Sequence, residues 1–422
     1  MKTINEMLTP EVLKSFESSI GATTESELLP AFVYSSEEFY EKFEKEAIFG
    51  HEWLCVGRES WLPQKGDYFT TSYIDEPLIV VRTDSNEIKC LSAVCQHRGM
   101  LVAEGSGNCN FFRCPYHHWV YDLEGALAGA PAMDKTVGFD RKKVSLPSVK
   151  TDFWNGFIFI NFDPEAKPLR PRLARFDRDF EHYDLANGFE PGHVRFSDLP
   201  WNWKVMFENT NDGYHANRLH KGPMHDFCPS NLAYWSEYHE DDAAVVRYTG
   251  FTHKDAAFNP TLKCLLPIFP NLTDEERTRM VFINLPPTLW VACLPDQVFY
   301  FLIHPDGARK CWIDQGPIYH PKAPADPLFE PKLAVYRETF QHFNHQDRYV
   351  DTLVQRGLGS RFARRGRLSH QEESLARFAR WLVQRYRDRW PSDTPAESPK
   401  RDAARPVCEA ATPRRQHAAS SA

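Results

Sequence analysis

No apolar stretch in the 422 residues approaches the ~18–20 residues that a membrane-spanning helix needs, so no span is expected. There is no basic surplus either. Fifty Lys and Arg stand against 57 Asp and Glu, a net charge of −7, which argues against nucleic acid or an anionic membrane face as the main partner. No Gly-x-Gly-x-x-Gly run follows a candidate strand, so no dinucleotide-binding fold is expected within this chain. Residues 1–19 lack the apolar core of a secretory signal and carry Glu6, Glu11 and Glu17. With no signal expected, the ten cysteines read as reduced thiols in a cytoplasmic protein. No internal repeat is visible. What is present leaves room for a large core: 42% of residues are hydrophobic and 14% aromatic. The length favours two domains over one.

Cys55, Cys90, Cys109, Cys228, Cys264, Cys293, Cys311 and Cys408 have no paired spacing and read as core or incidental residues. The other two cysteines belong to a pattern. Cys95-Gln96-His97 is followed, after sixteen residues, by Cys114-Pro115-Tyr116-His117. Each pair offers one thiolate and one imidazole, the donor set of a Rieske [2Fe–2S] cluster, in which one iron keeps Cys ligands and the other takes His. Neutral imidazoles make the cluster less negative and lift its potential to roughly −150 to +300 mV, against about −400 mV for all-Cys plant-type clusters. The competing reading is a Cys2His2 zinc site, whose usual order places both Cys before both His. The alternating order here suits two tight loops gripping opposite ends of a flat cluster.

Along the chain, residues 9–19 and 36–49 have helical spacing of apolar positions, with Ser36 placed to cap the second. From about Trp53 the texture changes to short strands. Residues 78–82 and 88–91 flank Thr83-Asp84-Ser85-Asn86-Glu87, a hairpin signal. Residues 154–162 read as one strand, the last of a small β domain, before a linker punctuated by Pro164, Pro168 and Pro171. Beyond it, residues 245–249, 280–285, 289–294 and 298–303 are strand candidates, and breaks at Pro286-Pro287 and Pro295-Asp296 suggest an antiparallel meander. Residues 333–357 and 369–389 are expected to be helical. The tail has almost no large apolar residues and is expected to be disordered.

A second constellation runs from Glu208 to His220. His215 and His220 are five apart. On a regular helix that is about 140° of turn, too wide for one ion, so a bulge or broken turn is required. Two His and one carboxylate with open positions opposite form the ferrous-iron site of oxygen-activating enzymes. Asp212, three residues before His215, is placed to accept from its ring N–H and fix its tautomer, leaving a second oxygen free.

Both constellations resemble one family. Cys95-Gln96-His97-Arg98-Gly99 and Cys114-Pro115-Tyr116-His117 are similar to the C-x-H-R-G and C-P-Y-H motifs of Rieske ring-hydroxylating oxygenases. The run from Trp201-Asn202-Trp203-Lys204 to His220 resembles the iron-binding segment of their α subunits. The resemblance covers roughly residues 30–390. Respiratory-chain Rieske proteins carry an extra disulfide from positions that are Met100 and Tyr116 here. The resemblance implies an α+β chain: a small antiparallel-β Rieske [2Fe–2S] domain plus a catalytic domain of antiparallel sheet packed with helices. The expected segments are 1–45, helical and packed on the catalytic domain; 46–165, the Rieske domain; 166–390, the catalytic domain; and 391–422, the disordered tail. It implies Cys95, His97, Cys114 and His117 as cluster ligands. It implies His215, His220 and Asp347 as ligands of a mononuclear Fe(II), with Asp351 as the alternative to Asp347. It implies that Asp212 links an iron His to a cluster His of a neighbouring subunit.

The same resemblance implies a terminal oxygenase fed by a separate flavin or iron–sulfur reductase, with or without a ferredoxin. NAD(P)H would act only through that reductase. A homotrimer is implied, and a β subunit is compatible. The substrate stays open between an aromatic acid and a quaternary amine. Val354-Gln355-Arg356-Gly357-Leu358 looks like the choline and betaine branch, whereas Asp212 stands where that branch usually has Glu. Trp235, Phe282, Trp290, Phe299 and Phe301 read as core or as an aromatic pocket suited to a cation or a ring. The alternatives are a non-catalytic Rieske electron carrier, which needs only the first domain, and a zinc scaffold.

Overall fold

The structure is a computed structural model that describes residues 3–220, 223–239 and 244–391. The expected 391–422 tail, apart from Pro391, and Cys408 lie outside the described residues.

Ten strands occupy the first part of the chain: β1 Leu54–Arg58, β2 Asp67–Tyr73, β3 Glu76–Arg82, β4 Ile88–Ser92, β5 Ser106–Asn108, β6 Phe112–Arg113, β7 Val120–Tyr121, β8 Leu127–Gly129, β9 Ser148–Trp154 and β10 Phe157–Asn161. Seven form one sheet in the order β1-β10-β9-β4-β3-β2-β5, and β6-β7-β8 form a small second one. The expected hairpin joins β3 to β4, where Thr83 N–H donates to Glu87 O at 2.8 Å. The stretch read as a single strand over 154–162 is two. Asn155 (φ 49°) and Gly156 (φ 80°) turn the chain so that Trp154 pairs with Phe157. An Asn-Gly pair tolerates two successive left-handed conformations, which is what a two-residue hairpin turn demands. The apolar run around it obscured that turn.

Seven further strands form one antiparallel sheet in the order β11-β17-β16-β15-β14-β13-β12. They are β11 Val194–Leu199, β12 Ala233–Trp235, β13 Val245–Gly250, β14 Arg279–Leu285, β15 Leu289–Leu294, β16 Gln297–Pro305 and β17 Cys311–Ile318. The meander was legible, but β11, β12 and β17 were not. β11 is a largely exposed edge strand, and β17 contains Gly316-Pro317, which reads as a break.

The central strands are buried on both faces, and alternate residues divide between two cores. Phe282, Trp290, Ala292, Phe299 and Phe301 face one core; Val281, Ile283, Val291, Val298 and Tyr300 face the other. The first face is covered by three helices, α1 Trp203–Asn211, α2 Phe329–Leu358 and α3 Glu373–Arg389. The N-terminal segment packs on these helices. Ser36 caps its Glu37–Phe49 helical run by accepting from Phe39 N–H at 3.2 Å, and Glu44 from that run meets Lys204 at 2.7 Å with both side chains fully buried. Gln355 Nε2 donates to Tyr34 O at 3.0 Å. Among the described residues no helix is long and apolar enough to cross a membrane.

Candidate active site

The loops after β4 and β6 repeat one hydrogen-bond pattern. Cys95 N–H donates to Met100 O at 2.9 Å, and Gly99 N–H donates back to Cys95 O at 3.0 Å. Cys114 N–H donates to Trp119 O at 2.8 Å, and His118 N–H donates back to Cys114 O at 3.0 Å. Both loops turn through a left-handed residue, Gly99 (φ 75°) and His118 (φ 57°). This geometry carries His97 and His117 to the same end, ring centroids 4.6 Å apart. Trp119 stacks on His97 at 4.7 Å. Both thiols are buried, and Nδ1 of each imidazole is buried without a hydrogen-bond partner. Two inward thiols and two unpartnered ring nitrogens fit a [2Fe–2S] group with mixed ligands. Tyr121 Oη accepts from Gln96 N–H at 3.0 Å and lies 3.4 Å from Cys95 Sγ, so its O–H is free to face the sulfur.

The second constellation is built by breaking a helix. α1 stops at Asn211 because Asp212 takes the next amides onto its side chain. Oδ1 accepts from Tyr214 N–H at 2.5 Å and Oδ2 from His215 N–H at 3.3 Å. Competition of this kind is why Asp favours helix ends. His215–Asn217 form a single 3-10 turn, and the broken path lets His220 come round. The Nε2 atoms of His215 and His220 stand 3.3 Å apart. Asp347, from α2, places Oδ1 3.0 Å from His220 Nε2 and 3.7 Å from His215 Nε2. All three donor atoms lie within 4.8 Å of one another.

The opposite ring nitrogens are engaged. Asp212 Oδ2 accepts from His215 Nδ1 at 3.0 Å, and Gln346 Oε1 accepts from His220 Nδ1 at 2.8 Å. Each ring therefore presents a lone pair at Nε2 toward the same point. Burial opposes a charge on His220, but Asp347 outweighs it and raises the pKa. The position thus favours a positive charge, proton or metal ion, and the donor set fits ferrous iron. Asp351, one turn further along α2, is not among the converging donors. Burial, and then the charge of Asp347, holds its carboxyl well above the usual carboxylate range. The second oxygen of Asp212, expected to be free, already takes the Tyr214 amide.

The converging donors open on a cavity of about 110 Å³ walled by Phe282, Trp290, Phe299 and Phe301. Beside it a wider hollow of about 500 Å³ shares Phe196, Phe258, Phe340 and Arg348 with the cavity. Trp235, grouped with the aromatic residues from the sequence, is elsewhere. It sits at the sheet edge under α3, where Nε1 donates to Ser374 Oγ at 2.8 Å. Sequence reasoning missed Gln346 as a partner of His220, Tyr121 beside Cys95, and Arg247 in the cavity wall. Nothing in the chain order ties Gln346 to a residue 126 positions away.

Two family models match the chain: the Rieske [2Fe-2S] domain over residues 52–150 and the ring hydroxylating alpha subunit (catalytic domain) over residues 181–388. A carrier would need only the first. The carnitine monooxygenase oxygenase subunit of Acinetobacter pittii (strain PHEA-2) is 31% identical over 237 residues, 55% of this chain and 62% of that protein. The chain thus spans less than two thirds of that relative. The glycine betaine monooxygenase oxygenase subunit of Chromohalobacter salexigens is 26% identical over 388 residues, 84% of each chain. The solved structure of a quaternary ammonium Rieske monooxygenase, described with carnitine oxidation and inter-subunit electron transfer, superposes with a TM-score of 0.74. It shares 24% identity and covers 88% of this chain and 98% of that one; at that identity the likeness concerns the fold.

Proposed function

Because the chain joins a Rieske [2Fe–2S] domain to a ring-hydroxylating α-subunit catalytic domain and so belongs to that family, we propose that it is the terminal oxygenase of a multicomponent system. It takes electrons from a separate reductase, directly or through a ferredoxin, and puts oxygen from O2 into a small organic substrate. The observation that carries this reading is the convergence of His215, His220 and Asp347 at the wall of an aromatic cavity. In this reading Cys95, His97, Cys114 and His117 hold the cluster, and His215, His220 and Asp347 hold the iron. When bound, the cluster passes single electrons and ferrous iron activates O2.

The chain's own residues supply the rest. Asp212 and Gln346 hold the Nδ1 protons of His215 and His220, so both Nε2 atoms stay unprotonated. The aromatic wall excludes water and grips the substrate through its π faces. A quaternary ammonium head gains cation–π attraction there, and the carnitine and betaine relatives make that the first substrate reading. A ring substrate would stack on the same faces; aromatic hydrocarbon catabolism is the second reading, carried by the flat wall of Phe and Trp. The assembly is a homotrimer, with or without a β subunit, in the cytoplasm. In it Asp212 faces His97 or His117 of a neighbouring copy.

The test is reconstitution. Iron-loaded protein with a Rieske reductase and NADH should consume O2 and deplete glycine betaine, carnitine or benzoate. It should complete at most one turnover without the reductase. Protein that holds two irons, carries Rieske-type EPR and depletes no substrate would instead be a carrier.

A further inference from the structure

Four cations are buried among the described residues: Arg58, Lys204, Arg247 and Arg377. Three of them meet a carboxylate. Arg58 lies 3.0 Å from Glu190, Lys204 2.7 Å from Glu44 and Arg377 2.9 Å from Glu373. This is the ordinary rule, because a charge taken out of water is costly unless it is paired. Arg247 breaks it. The residue is 5% exposed and makes no ion pair among the described residues. Its Nη1 donates to Asn211 O at 3.0 Å, its Cζ lies 4.0 Å from the Phe282 ring centroid, and its Nε has no acceptor. A guanidinium does not escape by losing its proton.

The unpaired charge is placed where a ligand can reach it. Arg247 is in the middle of β13 and lines the same cavity as His215, His220 and Asp347. Gly213 lies against it: a Cβ there would come within 2.8 Å of Nη1. The missing side chain leaves room beside the guanidinium two residues from His215. Neither Asp212 nor Asp347 neutralises it. Asp212 acts on Arg247 only through space, with no hydrogen bond between them. Asp347 is committed to His220.

We propose that Arg247 receives a carboxylate of the substrate, so that this oxygenase acts on acids. The proposal rests on the oxygenase reading above and names the substrate class within it. A carboxylate at the guanidinium of Arg247 forms a charge-assisted contact in a dry site, while Phe282, Trp290, Phe299 and Phe301 hold the remainder. A betaine and an aromatic acid share this chemistry, and the experiment separates them.

Binding to the iron-loaded full chain is measured calorimetrically for two acids and their uncharged-end counterparts: glycine betaine against choline, and benzoate against benzyl alcohol. In the wild type at least one acid binds about tenfold or more tightly than its alcohol, and which pair shows the preference identifies the source. Arg247→Gln removes that preference by weakening the acid about tenfold or more, without weakening the alcohol. If Arg247→Gln does not fold, Arg247→Lys decides. It keeps the charge but loses the planar fork, so the acid weakens several-fold and the alcohol does not. The proposal is overturned by acids and alcohols that bind alike, by no measurable acid binding, by variants with wild-type acid affinity, or by equal weakening of acid and alcohol. The two readings fail differently. Arg247-dependent acid binding without O2-dependent turnover would sink the oxygenase reading and leave this one. Turnover that prefers choline or benzyl alcohol would sink this one alone.

Discussion

Nε2 of His215 and Nε2 of His220 stand 3.3 Å apart, and with both Nδ1 protons engaged by Asp212 and Gln346 neither can donate to the other. Both Nε2 atoms face the Asp347 carboxylate, His220 at 3.0 Å and His215 at 3.7 Å, so the position calls for a positive charge, a proton on His220 or a metal ion shared by all three.

Alanine at His215, His220 or Asp347 is therefore expected to abolish turnover and remove one iron per chain while visible cluster absorption stays. Asp351→Asn is expected to keep that iron, since burial already favours the protonated acid at this position. Metal analysis of the four purified variants checks this. Iron retained in Asp347→Ala but lost in Asp351→Asn would reverse the assignment.

Tyr121 gives a prediction for the other centre. Its O–H is placed to donate to Cys95 Sγ at 3.4 Å, and such a bond stabilises the more negative, reduced cluster. Tyr121→Phe is expected to lower the potential by at most about 65–130 mV, from the ~1.5–3 kcal/mol typical of hydrogen bonds to charged groups, for a one-electron couple. Redox titration followed by EPR measures it. An unchanged potential would mean that the hydroxyl serves only Gln96 N–H. Cys114→Ser, by contrast, is expected to lose the Rieske spectrum altogether.

The two centres differ in how much of them the sequence reveals. The residues proposed to hold the cluster sit in two short loops, so their spacing is local and legible. The proposed iron site is half local. His215 and His220 announce themselves, but Asp347 arrives from α2, and only the family resemblance pointed to it. Arg247 carries no local signal. In Val245-Val246-Arg247-Tyr248-Thr249 it reads as the solvent-facing residue of an alternating strand. It becomes a cavity residue only because α1 and the Asp212-Gly213 turn close over that face. β11 and β17 were missed for a related reason: an exposed edge and a Gly-Pro pair erase the alternation that identifies a strand.

Glu208 sets a pH dependence. It is buried under the Tyr34 hydroxyl, and burial raises its carboxyl from 4.5 to about 7. Between these values the native state binds more protons than the unfolded one, so stability from this group is full below about pH 4.5 and is lost as pH rises through about 7. The loss is on the order of 3 kcal/mol at most. Glu208→Gln keeps the Tyr34 contact without the titration. Urea unfolding at pH 5.5 and 8 should show the variant gaining stability over wild type at the higher pH. A difference between variant and wild type that does not change with pH would contradict the burial argument.

Asp212 offers the sharpest test of the assembled enzyme. Its Oδ2 fixes the His215 ring, and its Oδ1 takes the Tyr214 amide. Each carboxylate oxygen has capacity for another donor, so Oδ1 can accept from an imidazole of a neighbouring subunit while keeping its local bond. In Asp212→Asn one oxygen becomes an N–H2 that cannot accept. If the oxygen remains toward His215, the amide faces the neighbour and the proposed link between subunits is cut. If the amide group turns the other way, the His215 bond is lost and its tautomer is no longer fixed. Either orientation spares the ligands themselves. Both centres are expected to load, the cluster to reduce normally, and product formation to fall by two or more orders of magnitude, roughly the upper range seen when a partner of a metal-bound His is removed. Single turnover from a pre-reduced cluster, with substrate and O2 present, separates the cases. Slow cluster reoxidation with full iron content marks a broken link between centres. Reoxidation at the wild-type rate with product formation lost would confine Asp212 to holding His215, and wild-type values for both would remove it from the mechanism.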